Sequence, residues 1–497
     1  MTKSTKVSLV AAAVASALGS SAYALPPAAF TNGTIAANNF FYSGGGSAEV
    51  QAVFVAARSL LTPASVDVYT DAAASNAHPQ SGNYLVVSGT TNGTGGLAAG
   101  TNIAFFYKYN GGSFPNGGLP QVGAGSNLAY PAPADLAAAT AVSPAPATIT
   151  SVTPNWRYAS ANGLSKLPDF GITDEEVALF NFKNNLNGSA AQNLSAGVKG
   201  TPGWVAPFGV AVTANLGTGA HPKTKFSKAE VAGILKATIS DWSQVYADDG
   251  SALAAGPIFL LDRGSGSGTK AAGNQFFLNY PGGIATGGAT DPNSVLGNNV
   301  NNYNGGATLN TNATDFQDVK EASSVTIVDD LQLAQSHGAR AISILGLEFP
   351  PHQNQLTSGT NDYFFAGING AFVDSNSGTT DNINSAAGGS TKYTNVVTGN
   401  YEFAYQVGIN TRNGFTQPAF QTSVLNFLKS ENLSGAHTGT AFPAATAGVL
   451  LDPKTTNQHD AGNLVWSRGA ISTAAPLIKN DALTNGGPIN FGPGDPL

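Results

Sequence analysis

The chain has 497 residues, 29 Asp and Glu against 22 Lys and Arg, a formal charge of -7 and no cysteine. With no basic excess and no Lys/Arg run it is not built to hold a nucleic-acid backbone, and with no thiol it has no disulfide, thiolate nucleophile or cysteine-built metal site. Charged residues are only 10% but hydrophobic residues reach 42%, so a core is available beneath a surface of Asn, Gly, Ser and Thr.

Residues 1–24 have the three parts of a secretory leader: Lys3 and Lys6, an apolar stretch over 7–18, and Ala22-Tyr23-Ala24 as a small-x-small cleavage motif. The apolar stretch is shorter than the ~20 residues that a membrane span needs. Cleavage after Ala24 predicts a mature chain that begins at Leu25, in the periplasm or outside the cell. Because the mature chain is acidic, any anion it binds must be held by local groups and not by the bulk field.

Along the mature chain, Ser43-Gly44-Gly45-Gly46-Ser47 feeds a predicted helix over 48–61, where Val50, Val53, Phe54, Ala57, Leu60 and Leu61 recur at helical spacing. Strand-like runs at 84–88 and 103–109 lie among Gly/Pro/Ala loops. A capping box, Ser227-Lys228-Ala229-Glu230, opens a helix with Val231, Ile234 and Leu235 on one face. An apolar run at 257–261 suits a buried strand, and a helix carrying Phe276, Phe277 and Leu278 follows. The Asn/Gly-rich stretches 281–320 and 374–392 read as surface insertions. Strands alternating with helices favour an α/β fold with a mainly parallel sheet.

The segment most suited to chemistry is Arg263-Gly264-Ser265-Gly266-Ser267-Gly268-Thr269-Lys270, between that strand and that helix. Glycines let backbone N–H groups converge, the following helix adds its positive N-terminal end, and hydroxyls plus the Arg263 guanidinium complete a cup for an oxyanion. A plain Gly/Ser turn with a surface arginine explains the same residues. Spacing excludes three other motifs: Thr269 separates Gly268 from Lys270 where a phosphate-binding P-loop needs Gly-Lys, the glycines do not fall at dinucleotide-binding spacing, and neither Ser265 nor Ser267 sits in a nucleophile elbow. Asp174 also has two readings. It could face a ligand, or Thr173 and Glu176 could form a capping box around it. The six histidines show no metal-binding spacing.

Leu261-Asp262-Arg263-Gly264-Ser265-Gly266-Ser267-Gly268-Thr269 resembles the Arg-x-Asp-Gly-Ser-Gly-Thr signature of the periplasmic phosphate-binding proteins that serve ABC phosphate uptake. Further segments occur in the family's order. Pro168-Asp169-Phe170-Gly171-Ile172-Thr173-Asp174 is similar to its Asp-Phe-x-x-Ser-Asp segment, 208–215 to the apolar strand that enters the second lobe, and 227–242 to the helix before its Ile-x-x-Trp element. Segments 338–342 and 400–403 also resemble later parts.

The resemblance implies an α/β, two-lobed periplasmic binding protein fold of type two, each lobe a mixed, mainly parallel sheet flanked by helices. Its boundaries would be 25–207 and 404–497 for lobe one and 208–403 for lobe two, with lobes closing on the ligand across a hinge. It implies a non-catalytic monomer without a cofactor, binding inorganic phosphate or a similar oxyanion and passing it to an ABC transporter membrane component. Arg263 would pair with the anion, and Ser265, Ser267, Gly268, Thr269, Ser47 and Ser113 would line it. Asp174 would accept a proton that phosphate carries and sulfate lacks.

Two features depart from the family. Ser265 stands where the family has Asp, and the chain is longer and poorer in charge than usual members. These favour, as an alternative, a secreted or surface protein that reuses the fold for adhesion, assembly or scavenging. A secreted phosphatase would need a nucleophile–base pair, which the sequence does not supply.

Overall fold

The computed structural model describes residues 25–72, 82–142, 154–159, 163–175, 177–181, 198–278, 309–347, 349, 362–372, 401–417 and 421–424. The predicted leader, 281–308 and 374–392 lie outside the described residues.

The glycine loop joins two elements, as its composition requires. Strand β1 (Phe40–Gly44) enters it, and helix α1 (Val50–Ser59) leaves it after one 3₁₀ turn at Ser47–Glu49. Next come β2 (Asp67–Thr70), β3 (Tyr84–Thr90) and β4 (Asn102–Lys108), an antiparallel meander whose last strand runs parallel to β1. Aromatic and β-branched residues suit these strands because both faces are covered. Leu85, Val87, Ile103 and Phe105 point into the main core, while Tyr84, Val86, Ala104 and Phe106 point into a second, aromatic cluster.

Short elements follow: β5 (Leu128–Tyr130), helix α2 (Pro133–Ala137), β6 (Thr140–Ala141), β7 (Trp156–Arg157) and β8 (Leu164–Lys166). Strand β9 (Phe170–Thr173) then pairs parallel with the other side of β1.

The crossing between halves is made by β10 (Val198–Thr213) and, late in the chain, β16 (Ala404–Arg412). The first part of β10 pairs antiparallel with β16, which also pairs with β9. From Phe208 onward β10 changes partners, to β14 and β15. At the change, Phe208 N–H donates to Phe403 O at 2.9 Å and the Tyr401 hydroxyl donates to Phe208 O at 2.8 Å.

The second half is built from β11 (Lys225–Phe226), helix α3 (Lys228–Leu235), β12 (Phe259–Arg263), helix α4 (Gly268–Leu278), β13 (Gln317–Glu321), helix α5 (Ser324–Ser336), β14 (Ala341–Gly346) and β15 (Tyr363–Ile368). Strand β12 lies between β13 and β14, parallel to both, and β11 runs parallel to β15. The Ser227 capping box forms: Ser227 Oγ accepts from Glu230 N–H at 3.1 Å, and the Glu230 carboxylate accepts from Ser227 N–H at 2.8 Å. The molecule is thus a mixed α/β fold of two lobes joined by a shared pair of antiparallel strands.

The end of the predicted insertion 281–320 belongs to β13, whose Gln317, Asp318 and Val319 are buried against β12. Its polar residues hid a strand that packs at the sheet margin. Among the described residues no helix is long and apolar enough to cross a membrane.

Candidate functional site

Parallel strands bring their carboxyl ends to one edge, where open α/β sheets place ligand sites. β1 ends in the loop to Ser47, β4 in the loop to Ser113, and β9 at Asp174. In the other lobe β12 ends in the Arg263–Ser267 loop and β13 runs into Ser324. The two edges face each other.

The facing surfaces touch. Phe114 N–H donates to Gly266 O at 3.0 Å across the lobes. Gly266 has φ +86°, and a Cβ on Gly112 (φ +100°) would lie 2.8 Å from Gly266 O, so both glycines are required by the approach. Gly268 opens α4 directly against Ser113 and Asp174: a Cβ there would lie 2.5 Å from Ser113 Oγ and 2.6 Å from Asp174 Cγ. Gly268→Ala is therefore expected to hold the lobes apart. Small-angle scattering should show a more open molecule, while circular dichroism stays unchanged because the strand pairing and helices within each half are untouched.

Arg263, 3% exposed, is anchored by backbone and a hydroxyl. Its Nη1 donates to Ser324 Oγ at 2.7 Å, Nη2 to Ala322 O at 3.0 Å and Nε to Glu321 O at 3.4 Å. Ser324 joins the lobes: it accepts from Ser47 Oγ at 3.3 Å, and its own N–H donates back to Ser47 Oγ at 3.4 Å. Thr269 Oγ1 donates to Asp174 Oδ2 at 3.4 Å. Ser267 caps α4, its Oγ accepting from Lys270 N–H at 3.4 Å.

Behind the cup, Asp262 accepts from Lys270 and Lys320, and Lys320 also pairs with Asp318 at 2.7 Å. Burial alone would raise the Asp262 carboxyl, but the two ammonium groups hold it well below the usual carboxylate range. These lysines are spent on Asp262 and Asp318, and among the described residues Arg263 is the cation whose charge acts on Asp174.

Two buried polar atoms in the cup have no hydrogen-bond partner: Asp174 Oδ1 and Ser113 Oγ. Buried groups of this kind carry a desolvation cost unless something pairs with them. Burial pushes the Asp174 carboxyl up to about 6, against the charge of Arg263 and the hydrogen bonds from Thr269. The site thus combines one guanidinium, a ring of hydroxyls and one carboxylate acceptor in near-complete isolation from water.

Of the sequence-predicted residues, Ser47, Ser113, Asp174, Arg263, Ser267, Gly268 and Thr269 come together. Ser265 is half-buried and joins none of these hydrogen bonds. Thr173 Oγ1 donates to Glu175 O and accepts from Asn410 Nδ2 at 2.9 Å, where β9 pairs with β16, and Glu176, the other half of the capping-box reading, lies outside the described residues. Ser324 was missed. Its signal in the sequence is the Ser323-x-x-Thr326 cap, in which Ser323 Oγ accepts from Thr326 N–H at 3.2 Å, masked by the Asn/Gly-rich stretch before it.

His221 and His337 are exposed, and His221 pairs with Asp249 at 2.8 Å; the other four histidines lie outside the described residues. Among the described residues no group of three or more His, Asp and Glu could hold a metal ion.

No protein-family model matches the chain, and no curated protein matches it. Three of the solved structures that do match are a phosphate ABC transporter substrate-binding protein from Clostridium perfringens with bound phosphate, an ABC-type phosphate transport receptor from Vibrio cholerae, and a phosphate-binding protein from Stenotrophomonas maltophilia. Each is 14% identical, with TM-scores of 0.30, 0.30 and 0.31. The matches cover 51%, 57% and 60% of this chain and 72%, 80% and 80% of those chains. At these scores the two-lobed arrangement rests on the chain's own strand pairing.

Proposed function

We propose that this chain is an exported, non-catalytic solute-binding protein that closes its two lobes on an oxyanion, with phosphate as the ligand. The observation that carries the reading is the pair of partnerless buried atoms, Asp174 Oδ1 and Ser113 Oγ, beside the start of α4 and the Arg263 guanidinium. A tetrahedral anion answers both needs at once. Its unprotonated oxygens accept from Ser113, Ser47, Thr269, Ser267 and Arg263, and its protonated oxygen donates to Asp174.

The lobes then comprise 25–207 with 404–497, and 208–403, with β10 and β16 as the hinge. Hinge closure dehydrates the anion, which strengthens each charge-assisted hydrogen bond in the site. A released anion would pass to an ABC transporter membrane component. Phosphate is preferred over sulfate because sulfate leaves Asp174 facing an unprotonated oxygen.

Equilibrium dialysis of the mature protein against labelled phosphate, with sulfate as competitor, tests the reading. Phosphate retention that excess sulfate fails to displace is expected. Retention of neither anion would mean that the cup serves the lobe contact alone and would overturn it. Ser324→Ala is expected to weaken phosphate about tenfold by removing one hydroxyl and one lobe-to-lobe contact, readable in the same dialysis.

A further inference from the structure

A second isolated carboxylate lies at the opposite end of the first lobe. Asp67 begins β2, level across the sheet with Ser88, Ala104 and Phe40, whereas the anion cup lies beyond the other end of β1. Its side chain is 0% exposed. Oδ1 accepts from Trp156 Nε1 at 2.9 Å and from Asn155 Nδ2, while Oδ2 has no hydrogen-bond partner and no ion pair among the described residues includes Asp67. All these contacts are neutral, and an ionised carboxylate buried among neutral groups lacks compensation.

The group that faces this carboxylate from the main chain is the backbone nitrogen of Leu25. Leu25 is held there from two directions. Its side chain is buried in the aromatic cluster with Phe30 and Tyr69, and its carbonyl accepts from the Tyr69 hydroxyl at 3.4 Å. Tyr69 is itself fixed by Phe30, edge-on at 5.2 Å, and by Trp156, stacked at 6.2 Å. Leu25 is also the residue that the leader motif puts first in the mature chain.

We propose that Asp67 is the binding site for the α-ammonium group released when the chain is cut between Ala24 and Leu25, so that the first lobe completes a buried ion pair only after processing. Hydrolysis of that peptide bond adds water, leaving the carboxyl group on Ala24 and the amine on Leu25. The amine takes a proton from solvent at neutral pH, since α-amino groups titrate at about 8. A single amide N–H becomes a charged group with three donors at the same place, beside a carboxylate whose Oδ2 has no partner. Burial pushes the Asp67 carboxyl up to about 6 in the unprocessed chain, against the Trp156, Asn155 and Leu25 hydrogen bonds. That direction suits a carboxylate whose cation has not yet arrived.

The test compares exported mature protein, shown by mass to start at Leu25, with the same chain carrying Gly-Ser before Leu25, each with and without Asp67→Asn. The processed chain is expected to melt at least about 3 °C above the extended one, and Asp67→Asn is expected to abolish the difference. Its α-amine is expected to react with an acetylating reagent roughly tenfold more slowly than the amine of the Asp67→Asn chain, one unit of pKa being a factor of ten. Equal melting of the processed and extended chains overturns the proposal without needing the Asp67 variant to fold. Equal acetylation of the two processed chains, or a mature terminus at another residue, overturns it as well.

Discussion

Arg263→Ala is expected to weaken phosphate binding by at least about a thousandfold, roughly 4 kcal/mol, while the protein stays folded. The size follows from where the guanidinium sits. It is buried, and the nearby lysines are committed to Asp262 and Asp318, so no other described cation can replace it in the cup. The fold survives because Arg263 is held by Ala322 O, Glu321 O and Ser324 Oγ at a strand end, whereas the lobe's core is formed by β12, β13, β14 and their helices. Titration calorimetry against phosphate checks the loss, and circular dichroism checks the fold. Arg263→Lys should recover only part of the affinity, since an ammonium cannot reproduce the planar fork.

Asp174→Asn should make the empty protein more stable near neutral pH and at the same time abolish its preference for phosphate. The folded state raises the Asp174 carboxyl from its ordinary value to about 6. Between those two values the folded protein binds the proton more tightly than the unfolded chain does, so stability falls as pH rises through this window. Above about 6 the full cost of the buried carboxylate is present, on the order of 3 kcal/mol. The asparagine variant escapes that cost. Its melting temperature is expected to exceed wild type by several degrees at about pH 7.5 and to match it at about pH 4. Asparagine offers an amide donor where the carboxylate accepted, so phosphate and sulfate should then bind alike. A variant that melts below wild type at both pH values would show that Asp174 serves the fold and not a ligand.

These expectations depend on residues that the sequence revealed unequally. The α/β alternation was legible, because the apolar runs at 84–88, 103–109 and 257–261 are too short for helices and too apolar for loops. The Arg263–Thr269 loop was legible because glycine and hydroxyl residues crowd a strand-to-helix junction, where backbone N–H groups must converge. Asp174 was legible only as an alternative. Its neighbours Thr173 and Glu176 suit a helix cap locally, and the hydrogen bond from Asn410 to Thr173, where β9 pairs with β16, comes from a strand far along the chain.

Ser324 was not legible, since its meaning lies in Ser47, 277 residues away and on the other lobe. Nor was the pairing change along β10 readable, because nothing local in 198–213 announces that its two parts pair with different strands. Non-local pairing decides such features, and residue spacing does not encode it. The same limit applies to Asp67, which in sequence is one acid in a short strand and in the fold faces the nitrogen of Leu25.

The central claim is that an oxyanion completes the cup between Arg263, Ser113 and Asp174. The most direct test is isothermal titration of phosphate-stripped mature protein with phosphate, run beside Arg263→Ala. The account predicts one site per chain with micromolar or tighter affinity, about -8 kcal/mol or better, and no measurable heat from the variant. Absence of phosphate heat from the wild-type protein, or equal heat from both proteins, would contradict it.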